Sequence, residues 1–191
     1  MNYKINFFLV YSVILFSGCS FYSFKGSLPE NIKSIYIHQI SNATSEYVIT
    51  NLLNESIRER LINQNLLNIV DEYNSDSQLI LKIKSVDDLP NVYNNINDTY
   101  EIVEQWKLNI KVKIIWKNIY SDKILIDKDI SEWAMYNNSG IDVGMDQIDN
   151  DLDGLLDAED SDEYGSSREA ALRIVSSKIS NRIIDELTST W

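Results

Sequence analysis

The longest regular pattern in the chain is an alternation of apolar and polar residues over positions 101–117. Apolar side chains occupy one parity, and lysine, asparagine and glutamine occupy most of the other. A period of two residues held over this length predicts a long β-strand with one buried face. The residues expected on that buried face are Ile102, Trp106, Leu108, Ile110, Val112, Ile114 and Trp116.

Shorter patterns predict the remaining strands and one polar loop. The alternation over residues 79–84 is typical of a strand with one wet face. Residues 87–98 contain Pro90 and several asparagines, so they predict a polar loop. The other predicted strands cover residues 32–40, 66–70 and 123–136.

Two segments have apolar residues at helical spacing instead. In residues 46–64 the apolar positions recur every three or four residues, as on one face of an amphipathic helix. Ser166 and Glu169 have the spacing of a capping box, which predicts the start of a second helix over residues 167–191. The chain therefore predicts an α+β two-layer sandwich, with a mostly antiparallel sheet of about four strands covered on one face by two helices.

The N-terminus has the organisation of a bacterial secretory signal. Lys4 precedes an apolar run over residues 7–16, which is too short for a membrane span of about 20 residues. A small Ser-Gly pair then leads to Cys19, which is the only cysteine in the chain. This motif resembles a lipobox, with Phe16 where the lipobox prefers an aliphatic residue. The alternative is an ordinary signal peptide that is cut near Gly18 and leaves the cysteine unmodified.

Under the lipobox interpretation, Cys19 carries the lipid that anchors the protein to a membrane. Two or more acyl chains hold stably, whereas a single chain binds only marginally. Ser20 follows the cysteine, and by resemblance to Gram-negative sorting this favours the periplasmic face of the outer membrane. The predicted organisation is a signal peptide over residues 1–18, a lipidated tether over 19–31 and a single domain over 32–191.

The negative charge of the chain is concentrated in one segment. The formal net charge is −12, and residues 140–164 contain ten acidic residues with no lysine or arginine. This segment accounts for all but about two of the net negative charges, so the remainder of the chain is nearly neutral. A nucleic-acid-binding protein would have a basic surface, and the composition argues against that class.

Part of the acidic segment matches the spacing of a calcium-binding loop. Gly154 stands at position 6 of the EF-hand pattern, where the chain turns sharply, and an apolar residue stands at position 8. The oxygen ligands would come from Asp149, Asp151, Asp153, the carbonyl of Leu155, Asp157 and Asp160. Asp160 replaces the usual bidentate glutamate, which resembles the repeats of thrombospondin type 3 and dockerin modules. We expect a structural Ca²⁺ here, and the alternative is a solvated acidic loop.

The order of these elements resembles the LptE family of outer-membrane lipoproteins that assemble lipopolysaccharide (LPS). The matching pieces are Cys19, the aromatic tether over residues 21–26, the strand over 32–40, the helix over 46–64, the strand over 101–117 and the terminal helix. The acidic segment has no counterpart in that pattern. The resemblance implies a non-enzymatic protein that partners the β-barrel LptD and assists the insertion of LPS into the outer leaflet. The alternative is an outer-membrane adaptor or pilotin for another secretion or surface assembly.

Lysines at the alternate positions of the long strand that are expected to face solvent form a second candidate site. They are Lys107, Lys111, Lys113 and Lys117, joined by Lys82 and Lys84 from the neighbouring predicted strand. Given the resemblance, such a positive sheet face could contact the phosphates of LPS. The alternative is an ordinary wet face whose lysines discourage edge pairing. Trp133 has the opposite parity to Tyr136, so we expect it to be exposed, which suits a partner contact.

Residues that could carry out catalysis are not evident in the sequence. The single histidine, His38, lies on a predicted strand, where a surface or packing role is expected. A nucleophile elbow, a Ser/His/Asp set and a phosphate-binding glycine loop are all missing from the pattern. We therefore expect that the protein is not an enzyme.

Overall fold

The fold is taken from a computed structural model of the full chain. The described residues are 28–29, 31–96, 100–137, 145, 147, 149, 154–156, 159 and 165–189. The predicted signal peptide, Cys19 and most of the tether lie outside them.

The described part of the chain contains two α-helices, six strands and one short 3₁₀ helix. The strands are β1 (Ser34–Ile37), β2 (Ser41–Asn42), β3 (Asn68–Ile69), β4 (Ser77–Ile96), β5 (Tyr100–Asn118) and β6 (Ile124–Asn137). The α-helices are α1 (Val48–Asn63), between β2 and β3, and α2 (Ser167–Thr188), after β6, and the 3₁₀ helix (Glu72–Asn74) lies between β3 and β4. The strand order is β3-β1-β4-β5-β6, and β2 also pairs with β4. The pairs β4–β5 and β5–β6 are antiparallel, whereas β1 and β2 run parallel to β4, and β1 runs parallel to β3.

The predicted α+β sandwich is confirmed, but the sheet differs from the expected one. It is mixed and has six strands among the described residues, rather than about four that are mostly antiparallel. The parallel pairs arise because α1 returns the chain to the end of the sheet from which β1 starts, as in any crossover connection. The strands β2 and β3 are two residues long, which is too short to produce an alternating pattern.

The core lies between one face of the sheet and the two helices. Within Leu79–Ile83 of β4 and Leu108–Trp116 of β5, the alternate residues that face the helices are fully buried, and so are the apolar stripes of both helices. Trp106, which was also expected to be buried, is only partly buried. The sheet contributes Leu79, Leu81, Ile83, Leu108, Ile110, Val112, Ile114 and Trp116 to this core. The helices contribute Ile49, Leu53, Ile57 and Leu61 from α1, and Leu172, Val175, Ile179, Ile183 and Leu187 from α2.

Helix α2 begins where the capping box predicts. Ser166 has an extended backbone, and its side chain accepts a hydrogen bond from the backbone N–H of Glu169 at 3.4 Å. This bond satisfies one of the donors that a helix start leaves without an intrahelical partner.

The prediction of a polar loop over residues 87–98 is wrong for most of that range. Strand β4 continues to Ile96, and the pairing with β5 extends from Ser77↔Asn118 to Ile96↔Tyr100. Shifts of register near Pro90 mark bulges, which accommodate the proline within a strand. Because β6 ends opposite Gln105, the two strands continue beyond the sheet as a hairpin. We call residues 89–96 and 100–104, which are the described part of this hairpin and the residues of β4 that lead into it, the arm.

Candidate interaction surface

The predicted lysine row lies on the sheet face opposite the helices, which no described element covers. Lysines of β4 and β5 stand side by side there, since Lys82 pairs directly with Lys113. The row consists of Lys82, Lys84, Lys107, Lys111, Lys113 and Lys117. We call this surface the open face.

Aspartates of β6 and of the β5–β6 turn lie among these lysines. Lys84 Nζ is 2.8 Å from Asp129 Oδ2, and Lys111 Nζ is 3.7 Å from the same oxygen. Lys113 pairs with Asp127, and Lys117 pairs with Asp122 in the turn. The hydrogen bond from Lys84 is the main cause that lowers the pKa of Asp129. The open face therefore carries both charges, with more lysines than aspartates.

The aromatic residue Trp133 lies at the edge of the open face, on β6. As predicted, its side chain is exposed, at 43%. Lys107 Nζ lies 4.3 Å from the ring centroid, and Lys178 Nζ lies 5.7 Å from it. Lys178 also donates a hydrogen bond to the Trp133 carbonyl oxygen at 3.4 Å. Both contacts are within the distance at which an ammonium group is attracted to an indole ring.

A second cluster, which the sequence did not predict, joins four segments of the chain at the base of the arm. Arg168 of α2 contacts Glu46 Oε2 through Nη1 at 2.8 Å, and contacts Asp88 Oδ2 through Nη2 at 2.9 Å and Nε at 3.1 Å. The Tyr136 hydroxyl donates to Asp88 Oδ1 at 2.9 Å. We call these four residues the arginine clamp.

The pKa values of two clamp residues reflect these contacts. Burial, followed by the hydrogen bond to Asp88, raises the pKa of Tyr136 to about 12. Burial alone would lower the pKa of Arg168, but the hydrogen bonds to Asp88 and Glu46 outweigh it and raise this pKa above its ordinary value. Periodicity could not reveal the clamp, because Asp88 and Arg168 are 80 residues apart in sequence.

The predicted calcium loop is described only in part. Of its proposed ligands, Asp149 and Leu155 are described, whereas Asp151, Asp153, Asp157 and Asp160 lie outside the described residues. Gly154 has a φ of 96°, a backbone conformation that favours glycine. Its N–H donates to Asp149 Oδ2 at 2.9 Å. Among the described residues, no three acidic, histidine or cysteine side chains come together, and calcium binding stays a prediction.

His38 has the packing role that was expected of it. Its ring meets the ring of Tyr36 edge-on, with centroids 4.7 Å apart. The absence of enzymatic activity stays a prediction. Neither described helix has the length and apolar composition of a membrane-spanning segment.

Comparisons with known proteins show the fold. No family model and no curated protein sequence matches the chain. Protein XCC0632 from Xanthomonas campestris, of the family DUF330, has a TM-score of 0.53 at 8% identity, over 83% of this chain and 85% of that one. Rare lipoprotein B from Shewanella oneidensis has a TM-score of 0.44 at 19% identity, over 80% and 92%. A minor lipoprotein from Acinetobacter baumannii has a TM-score of 0.45 at 11% identity, over 82% and 93%. At these identities, the chain and XCC0632 share a fold.

Proposed function

We propose that the protein is an outer-membrane lipoprotein, anchored through Cys19, that partners an LptD-like β-barrel and assists LPS insertion into the outer leaflet. Its role is non-enzymatic. The observation that carries the proposal is the open face, where lysines of two adjacent strands lie beside one another and beside Trp133. A row of cations next to an exposed aromatic ring suits a phosphorylated glycolipid.

The aspartates on the open face do not prevent such binding. Ion pairs at exposed positions are weak and exchange readily with other partners. A phosphate carries a charge of about −1.5 to −2 near neutral pH, so it competes well with a single carboxylate for a lysine. Lys107 contacts an aromatic ring and, among the described residues, forms no ion pair with a carboxylate, so it is the first lysine that we expect a phosphate to engage.

The proposed anchor keeps the domain close to the membrane. About 15 residues separate Cys19 from the start of β1 at Ser34. A fully extended chain of that length spans at most about 50 Å. An assembly partner in the same membrane is therefore within reach of the sheet.

Affinity purification of the lipidated protein from its own membrane tests the proposal. We expect an LptD-like barrel and LPS to co-purify, and LPS retention to fall in the double variant Lys111→Glu/Lys113→Glu. Lys33→Glu/Lys123→Glu is the matched control, because it makes the same charge change at exposed lysines that have no part in the row. The absence of any stable barrel complex in native membranes would contradict the proposal.

A second candidate function is that of an adaptor or pilotin for another outer-membrane assembly. The observation that favours it is the mixed charge of the open face, since alternating Lys and Asp side chains also complement a polar protein surface. The proteins recovered in the same purification separate the two functions, because a pilotin brings down a secretion component instead of an LPS-related barrel.

We also propose that the acidic segment binds a structural Ca²⁺. The turn at Gly154 and its bond to Asp149 support the proposal, and we expect an affinity of roughly 10⁻⁴–10⁻³ M, as in extracellular modules. Titration calorimetry should give a binding heat that Asp151→Ala and Asp153→Ala each abolish. Asp185→Ala, an exposed aspartate on α2, is the control. Unchanged heat in the two loop variants would end the proposal.

A further inference from the structure

We propose that the arm is a docking element for a protein partner whose contacting surface is apolar and rimmed by Lys or Arg. This inference rests on the proposed function in one respect, that the protein works as a subunit of a larger assembly. It adds the surface that makes the contact and the chemistry of the partner. The arm adjoins the open face, because Leu89 pairs with Lys107, and it extends past the end of β6.

The first observation is the exposure of large apolar side chains on the arm. Leu89, Val92, Tyr93 and Ile102 are between 41% and 57% exposed, although the sequence pattern places Ile102 on the buried parity of β5. Leu89 and Tyr93 pair with Lys107 and Val103, so they share the parity of the lysine row, a face that no described element covers. Ile102 has the other parity and lies beyond the part of the sheet that the described helices cover. A two-stranded hairpin buries little by itself and gains stability from further packing. The side chains that share the face of the lysine row, which are Leu89, Val92 and Tyr93, mark an interaction surface.

The second observation is the charge of the arm, which selects the kind of partner. Residues 85–106 contain no lysine or arginine. Asp87, Glu101 and Glu104 are exposed next to the apolar side chains. A bilayer that contains anionic lipids repels such a surface, whereas a protein surface with a basic rim complements it. The charge therefore favours a protein over a membrane.

The third observation is that the arm is held at its base. Asp88, the last residue before the arm, accepts hydrogen bonds from both Arg168 and Tyr136. Because these partners belong to α2 and β6, the arm leaves the body in a defined direction. Such preorganisation lowers the entropy lost when a surface binds its partner.

Site-specific photocrosslinking in the full-length, lipidated protein tests the inference. The crosslinking amino acid p-benzoylphenylalanine replaces Tyr93 or Ile102 on the arm. In control chains it replaces Tyr73 or Tyr120, which lie on the body and are more exposed than either arm residue. After irradiation of native membranes, adducts are purified and the crosslinked peptides are identified by mass spectrometry. We expect both arm positions to crosslink to one protein, at a segment that combines apolar residues with Lys or Arg, and the controls to give no such adduct.

Charge dependence supplies the second readout. The variant Glu101→Lys/Glu104→Lys should lower the adduct yield about fivefold or more, because the arm then repels a basic rim. Raising the salt concentration during irradiation should lower the yield as well, and this measurement needs no variant. An adduct yield that neither change affects would contradict the proposed partner chemistry.

The remaining outcomes separate this inference from the proposed function. Adducts with lipid alone, adducts with a second copy of this chain alone, or no adduct would each overturn the inference. If a barrel and LPS co-purify while the arm gives no protein adduct, the docking role fails and the proposed function stands. If the arm crosslinks to a basic-rimmed protein unrelated to LPS transport, the docking role stands and the LptD-like function fails.

Discussion

The two faces of the sheet come from the same strands but differ in what holds them in place. On the helix-covered face, alternate residues of β5 from Leu108 to Trp116 are fully buried against α1 and α2. On the open face, the intervening lysines meet aspartates at the surface and remain partly exposed. Burial of apolar area stabilises strongly, whereas exposed ion pairs contribute little. Folding stability therefore resides mainly on the helix-covered face.

Substitution of two adjacent isoleucines on β5 should give the largest difference in stability between the two faces. Ile114 is fully buried among the helices, and Ile115, on the open face, is half-buried. Ile114→Ala should lower the free energy of unfolding by about 2–5 kcal/mol, because it leaves a cavity in the core. Ile115→Ala removes the same atoms and should cost less than about 1 kcal/mol. Urea unfolding measures both, and equal losses would show that the open face is covered in solution.

The arginine clamp should have the next largest effect. Arg168→Met removes the cation that Asp88 and Glu46 share, and leaves two half-buried carboxylates close together. We expect a loss of about 1–3 kcal/mol in the free energy of unfolding, measured by urea titration. Hydrogen exchange in the arm should quicken, since its base is no longer fixed. Tyr136→Phe removes one hydrogen bond and should cost about 0.5–1.5 kcal/mol. Unchanged exchange in Arg168→Met would indicate that the clamp does not restrain the arm.

Asp76 provides a contrast with the exposed aspartates of the open face. Its Oδ2 accepts from the backbone N–H groups of Lys33 and Ser34 at 2.8 and 2.9 Å, which ties β1 to the start of β4. Burial alone would raise the pKa of Asp76, but these bonds outweigh it and lower the pKa. Asp76→Ala should cost about 1–2 kcal/mol at neutral pH, because two strand N–H groups lose their acceptor.

The lowered pKa of Asp76 also predicts the direction of its pH dependence. Its contribution is complete above the ordinary value of 3.8 and is lost as the pH falls through the lower folded value. Unfolding midpoints measured between neutral and acid pH should therefore converge for the native chain and Asp76→Ala. A difference that stays constant down to low pH would rule out the carboxylate as its source.

The smallest effect on stability is expected at Asp129. Asp129→Asn removes the carboxylate that Lys84 and Lys111 share, and we expect an unchanged unfolding midpoint because all three side chains are exposed. Under the proposed function, retention of LPS should increase, since two lysines lose a competing partner. Asp185→Asn is the control for the change in net charge. Reduced retention in Asp129→Asn would indicate that the aspartate itself contacts the ligand.

The arm shows why part of the fold escaped prediction. Pro90 and the asparagines around it are typical of loops, and local preference favoured that interpretation. The structure instead continues the pairing of β4 with β5 outward from the sheet, and bulges in β4 accommodate the proline. The arginine clamp could not be predicted from the sequence for a different reason. Its charged residues come from four separate segments, and nothing local to any of them indicates the others.

Local periodicity by itself determined the long strand β5, the two amphipathic helices, the start of α2 and the α+β class. These features depend on residues within a few positions of one another, where alternation and helical spacing act directly. The parallel placement of β1 beside β4, the aspartates that meet the lysines, and the projection of the arm were decided only by the tertiary structure. Each depends on the register between distant segments and on where the helices stop covering the sheet, which no local pattern encodes.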